Sequence, residues 1–323
     1  MQLRPRASIT KKLPAITGLA KSQITDDLDL AGKDKIINTD AEPLPVEECS
    51  GNFISPVASK NDASVVKIHP KRKLGDIGPK SSSASIPPPD WLSTYTAIRD
   101  YRKTHIAPVD TMGCERLAEY GENIDPKVSR FQTLVSLMLS SQTKDTVTAE
   151  AMRNLQRKLP GGLSINSVLA ASELDLQKLI CKVGFSSRKS IFIKDAARIC
   201  LEKYNGDIPD TLEGLCALPG VGPKMAHLTM QCAWNKTIGI GVDVHVHRIC
   251  NRLGWCKTAG GLPEDTRKAL EKWLPREYWR EINAMLVGFG QTVCLPRYPR
   301  CSDCPVRDAC PSAFKEAKKS KVK

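Results

Sequence analysis

Between Leu218 and Lys224 the chain reads Leu-Pro-Gly-Val-Gly-Pro-Lys, and no other stretch limits the fold as much. An ordinary turn between two helices needs only one glycine. Here Gly220 and Gly222 bracket Val221 and leave successive backbone amides little hindered by Cβ atoms. At the start of a helix such amides bind a phosphate oxygen well. A plain hairpin packed in a core accounts for the glycine pair equally well. Lys224 stands directly behind the turn, and the next helix is expected from Lys224 onward, with Met225, Leu228 and Cys232 inward. Asp243 follows nineteen residues later, in Gly241-Val242-Asp243-Val244-His245.

The surrounding pattern is helical. A first helix is expected to begin near Trp91 and to pass through Ile98 and Tyr101. Ser129 to Gln132 has the spacing of a capping box, with Phe131, Leu134, Val135, Met138 and Leu139 behind it at helical intervals. Ser172 to Asp175 predicts a helix running to Val183 and stopping at Gly184 in a left-handed cap. Ile191, Ala196, Ile199 and Cys200 mark another stripe. Pro263–Trp273 and Glu277–Phe289 predict later helices. Alternating strand patterns are scarce, so the expected fold class is all-α. Residues 1–90 hold one aromatic, Phe53, and are rich in Pro, Ser, Lys and Asp. Such a segment cannot bury enough apolar surface to offset its ordering entropy, and a disordered N-terminal extension is expected.

Charge and cysteine usage narrow the class of partner. The chain of 323 residues has a formal net charge of +13, of which residues 1–100 contribute only +2. The excess therefore lies on the part expected to fold, as suits a polyanionic partner. No apolar run approaches the roughly 18 residues of a membrane span, and no hydrophobic signal-peptide core opens the chain. Twelve cysteines thus point to a reducing compartment and metal ligation more than to disulfides. Four of them, Cys294, Cys301, Cys304 and Cys310, fall within 17 residues. Thiolates are soft ligands for zinc or iron–sulfur, and ligand type alone does not choose between the two. Two addresses are expected in the extension: a basic, acid-free stretch over residues 1–25 compatible with mitochondrial import, and Lys71-Arg72-Lys73 as a short nuclear signal.

Taken together, Leu218–Lys224, Ala107-Pro108-Val109-Asp110, Leu139–Asp145 and Val242-Asp243-Val244-His245 resemble the endonuclease III family of DNA glycosylases, in its eukaryotic branch. The likeness runs from about Ala107 to Pro311. It implies that Lys224 is the nucleophile and Asp243 its partner, and that Gly220, Val221 and Gly222 form a helix-hairpin-helix that binds DNA. It also implies that Gln142 enters the duplex, although Ser140-Ser141-Gln142-Thr143 reads by itself as a polar loop at a helix end. His245 and Lys189 fall at family-like positions, whereas His227 and His247 are expected to be surface or structural. The cysteine spacing matches the family's [4Fe–4S] loop. The implied architecture has two helical lobes with DNA in the cleft between them. One lobe spans 126–240; the other combines 91–125 with 241–315 and holds the cluster; 316–323 is a basic tail. The implied substrate is double-stranded DNA carrying oxidised pyrimidines or abasic sites. A monomer in the nucleus, the mitochondrion or both is expected, with the extension available to other repair proteins.

Lysine chemistry agrees with that likeness. A neutral amine can attack C1′, expel the base and form a Schiff base, whose C2′ proton is then acidic enough for β-elimination. Asp243 can stabilise oxocarbenium-like charge on the sugar or take a proton from Lys224, and it can equally cap the helix from Val244. The family usually has Thr where this chain has Val244, which predicts altered hydrogen bonding beside Asp243. Three competitors remain: a glycosylase without lyase action, a non-catalytic hairpin protein and an iron–sulfur electron carrier. The first does not need Lys224, the second does not need the pair, and the third needs neither hairpin nor basic cleft.

Overall fold

The computed structural model describes residues 86–315. The two targeting segments and the tail at 316–323 lie outside them. The described residues form twelve α-helices with short 3₁₀ turns and no β-strand. They are α1 (Trp91–Thr104), α2 (Pro108–Met112), α3 (Pro126–Ser140), α4 (Asp145–Lys158), α5 (Ile165–Ala170), α6 (Glu173–Leu179), α7 (Ser186–Lys203), α8 (Leu212–Ala217), α9 (Pro223–Ala233), α10 (Val244–Arg252), α11 (Pro263–Leu270) and α12 (Ile282–Thr292). None of the described helices is long and apolar enough to cross a membrane.

Two apolar cores organise these helices. The first runs from Phe131 on α3 to Met230 on α9. Its axis is α3, buried from Phe131 to Leu139 without a break, so this helix is enclosed and not amphipathic. It packs along α9. The second core joins Tyr95 and Ile98 of α1 to the chain from Ile240 to Val306. Aromatic rings make that closure. Trp91 meets Trp273 and Tyr278 edge-on at 5.4 and 5.2 Å, and Tyr95 meets Tyr278 at 4.9 Å. The Tyr95 hydroxyl donates to Glu281 at 2.6 Å. Between the two cores, the Gln291 amide of α12 donates to Asp145 at 2.7 Å and accepts from the Val109 amide at 3.1 Å.

Three local expectations are corrected. Helix α3 starts at Pro126 with Asp125 as its cap, so Ser129 and Gln132 lie inside it. Both are buried and bind the preceding chain: Ser129 Oγ donates to the Glu119 carbonyl, and Gln132 Oε1 accepts from the Glu119 amide. Tertiary bonding to Glu119 has taken up the side chains of the apparent capping box. Helix α6 is capped by Ser172 as expected but ends at Leu179. Gly184 is not left-handed; Phe185 is, with φ of 59°. Ile191 is 42% exposed, and the inner face of α7 instead carries Lys189, Ile193, Ala196, Ala197 and Cys200.

His227 on α9 is structural and deeply buried, and its Nδ1 has no hydrogen-bond partner. Burial pushes its imidazole down from 6.5 to about 4. The folded chain therefore holds this proton more weakly than the unfolded chain does. Stability should fall as pH drops below about 6.5 and level off below about 4, a total of about 3 kcal/mol. Thermal melts at pH 7 and pH 5 check this: His227→Gln should lose less stability over that interval than the wild type.

Candidate active site and cysteine loop

The hairpin between α8 and α9 forms as its glycines require. Gly220 has φ of 75°, and a Cβ there would fall 2.6 Å from the Phe192 ring. Val221 is buried in the first core, and its amide donates back to the Leu218 carbonyl. Gly222 caps α9 with an ordinary φ of −106°, and a Cβ there would meet nothing within 4 Å. The two glycines thus serve different ends: Gly220 lets the chain fold, and Gly222 faces open space just before Pro223 and Lys224. Gly220→Ala should cost about 1–2 kcal/mol from the left-handed backbone alone, with the Phe192 overlap added. Gly222→Ala, whose Cβ would meet no neighbour, should lower the melting temperature less than Gly220→Ala does, the two measured side by side by calorimetry.

Pro223 and Lys224 form the first turn of α9. Asp243 caps α10, its Oδ1 accepting from the His245 and Val246 amides at 2.9 Å each. These two helix starts border the same cleft, and Gly241 lies against α9 beside them. A Cβ on Gly241 would fall 2.6 Å from the Leu228 side chain, one turn beyond Lys224. The buried Asn283 of α12 donates to the Gly241 carbonyl and fixes the segment from its other side.

Lys224, Asp243, His245 and Gln142 all line one cleft of about 1000 Å³, whose walls come from both cores. Its size is at the upper end of ordinary ligand pockets. The structure does not bring Gly220, Val221 and Gly222 into this cleft; they form the turn outside it. Burial lowers the His245 imidazole below its ordinary value, with Arg248 and Lys224 contributing and Asp243 and Asp145 opposing. It is therefore mainly neutral at pH 7. Val244 is 65% exposed at the start of α10 and also lines the cleft. His247 is structural, its Nδ1 lying 2.7 Å from Thr266 Oγ1.

Two residues escaped the sequence reading. Glu115 lies in the cleft wall, and burial raises its carboxyl above the usual range, against the pull of Arg116, Arg280 and Lys224. A lone Glu before α3 carries no sequence signal. Phe185 is 59% exposed and left-handed, in the turn adjoining the Gln142 loop. An aromatic following glycine was its only trace.

Cys294, Cys301, Cys304 and Cys310 line a second, smaller cavity, walled by Leu253, Phe289, Val293 and Val306. Arg252 donates to Cys294 Sγ at 3.3 Å, and the Phe314 amide lies 3.5 Å from Cys301 Sγ. Burial pushes the Cys304 thiol up to about 11 and raises that of Cys310, with the neighbouring cysteines adding to both. Among the described residues, no three His, Cys, Asp or Glu side chains are grouped to hold a metal ion. The four thiols line one cavity. Four soft thiols on one mainly apolar cavity, with N–H donors to two of the sulfurs, are a donor set that fits a metal centre. All the described cysteines are free thiols, none in a disulfide.

The start of α9, carrying Lys224, and the capped Asp243 thus border one cleft. Residues 135–276 match the HhH-GPD superfamily of base excision DNA repair proteins. The chain is 56% identical over 238 residues to the endonuclease III homolog of Schizosaccharomyces pombe, covering 73% of this chain and 66% of that one. It is 50% identical to endonuclease III-like protein 1 of Gallus gallus, covering 73% of this chain and 82% of the relative. Two solved complexes of endonuclease III with DNA, one a trapped covalent intermediate and one non-covalent, superpose with TM-scores of 0.58 and 0.59. Each is 25% identical and spans 70% of this chain and 98% of its own. The chain belongs to the endonuclease III family of DNA glycosylases.

Proposed function

We propose that this chain is a bifunctional glycosylase and abasic-site lyase that removes oxidised pyrimidines from double-stranded DNA and cuts 3′ to the site. The observation that carries the reading is the shared cleft: an amine at one helix start and a carboxylate at another face the same space, large enough for an extruded nucleotide. Lys224 Nζ attacks C1′, the C1′–N bond breaks, and the base leaves with the bonding electrons. Asp243 stabilises positive charge on the sugar as that bond opens; one carboxylate oxygen suffices for its capping role. The proton shed by the alkylated Lys224 nitrogen goes to the departing base, and the C1′–O4′ bond then breaks to give a protonated Schiff base on Lys224, with O4′ taking a proton from water. Loss of a C2′ proton then expels the 3′ phosphate, and water releases the lysine.

The remaining residues bind DNA. The open amides beyond Gly222 receive a backbone phosphate, and His245 supports the strand beside Asp243. Gln142 occupies the space vacated by the extruded nucleotide and can both donate to and accept from the orphaned base. Cys294, Cys301, Cys304 and Cys310 would hold a [4Fe–4S] cluster, which when bound supplies four thiolate bonds that close their loop. Exposed Arg297, Arg300 and Arg307 on that loop then meet phosphates, a salt-dependent contribution. The protein acts as a monomer in the nucleus, the mitochondrion or both, and the extension offers sites to other repair proteins.

The test is borohydride trapping on a duplex with one thymine glycol. Cluster-loaded protein should give a covalent protein–DNA adduct. Folded, loaded protein that gives none would remove the lyase step.

A further inference from the structure

The loop that carries Gln142 is held by one buried cation. Lys189 of α7 is only 6% exposed. Its ammonium donates to the Leu139 carbonyl at 2.7 Å, to the Ser141 carbonyl at 2.6 Å and to Thr143 Oγ1 at 3.4 Å. Two of these acceptors are carbonyls at the end of α3, which a helix leaves without intrahelical donors. All three belong to residues 139–143, which surround Gln142 in sequence. Gln142 itself has φ of 52°, a conformation a non-glycine residue takes only when its surroundings impose it. The grip is completed from a second element. The Gly184 amide donates to Thr143 Oγ1 at 3.2 Å, and a Cβ on Gly184 would fall 2.9 Å from the Gln142 carbonyl oxygen. A buried lysine in a purely packing role would not need every acceptor on one five-residue loop. Burial pushes its amine down to about 8, so holding the charge there has a cost.

We infer that Lys189 is a positioning residue for Gln142: its ammonium locks residues 139–143 in the left-handed turn that presents Gln142 to the duplex. The inference rests on the reading of Gln142 as the side chain that enters the helix. Lys189 does not line the cleft that holds Lys224. It acts by setting where the Gln142 amide stands before DNA arrives, so that none of the binding energy is spent ordering the loop.

The test is a double-mutant cycle in the full, cluster-loaded chain, read by single-turnover release of thymine glycol and by the fluorescence of 2-aminopurine placed opposite the lesion. Lys189→Met should slow base release about tenfold or more and remove most of the fluorescence change. In a Gln142→Ala background the same substitution should add less than about twofold, because the residue it positions is gone. Thr143→Val, which loosens the same lock more gently, should follow the same pattern with a smaller loss and covers the case in which Lys189→Met does not fold. Lys189→Arg, which keeps the charge, should recover part of the rate. Equal fold-losses in both backgrounds would make Lys189 a general fold residue and overturn the inference, as would a silent Lys189→Met. A silent Gln142→Ala is a different result: it removes the reading of Gln142 itself and the inference with it.

Discussion

Lys224→Gln should give no borohydride adduct and no lyase product while still binding the lesion duplex. Lys224 is the only amine proposed to bond C1′, so its loss removes the covalent route altogether instead of weakening one contact among many. Any residual base release would have to come from water, and strand cutting by β-elimination needs the imine. A fall of about 10³ or more in strand cutting, equivalent to about 4 kcal/mol of transition-state stabilisation, is expected. The fold should survive. Lys224 is half-buried in the first turn of α9, glutamine is nearly as good a helix former as lysine, and Pro223 and Gly222 still set the helix start. Binding should weaken only a few-fold, since one cation among several near the phosphates is lost. Asp243→Asn makes the complementary case. Asparagine caps a helix about as well as aspartate, so α10 should remain in place. Base release should slow while the trapped adduct, though formed late, still appears. An adduct that persisted in Lys224→Gln would move the nucleophile to another amine.

Much of this site was legible because its parts are local. A glycine pair beside proline and a cap before Val244 are short-range signals, and they announce both helix starts on which Lys224 and Asp243 sit. Their convergence was not legible from composition or spacing. It depends on Gly241 lying against Leu228 and on Asn283 reaching across from α12, contacts between residues far apart in sequence. The all-helical class followed from periodicity, while helix ends were misplaced wherever a tertiary bond competed with a local one. Ser129 and Gln132 show this: their spacing suited a cap, but both side chains are spent on Glu119. Gly184 misled for a related reason. Its lack of a Cβ serves the close approach of the Gln142 carbonyl, not a helix end. Glu115 and Phe185 gave no pattern, since neither lies in a periodic helix face: Glu115 stands in the short 3₁₀ turn Cys114–Arg116 and Phe185 caps α7.

Cys301→Ser should unfasten the chain from Cys294 onward without disturbing the first core. Val306 sits inside the loop bounded by the four cysteines and is only 4% exposed, buried in the second core with Trp255 and Phe289. Cys294 and Cys304 also pack against that core. If the thiols hold a cluster, the loop is a crosslink as well as a cover. Closing a loop of about 15 residues is worth about 3 kcal/mol, and keeping Val306 out of water adds about 2 kcal/mol. Serine is a harder ligand than cysteine and is expected not to retain iron. The variant should therefore lose its visible iron–sulfur absorbance and melt at lower temperature. Hydrogen exchange should locate the damage: amides of residues 294–315 and of α10, to which Arg252 ties the loop through Cys294 and Leu295, should lose protection. Those of α3 and α7 should not, because no residue of the loop belongs to the first core. Affinity for DNA should fall and its salt dependence flatten, since Arg297, Arg300 and Arg307 would no longer be held in register. A Cys301→Ser protein that bound no metal yet kept wild-type protection over 294–315 would show that packing alone holds this loop, and the cluster would then need another purpose.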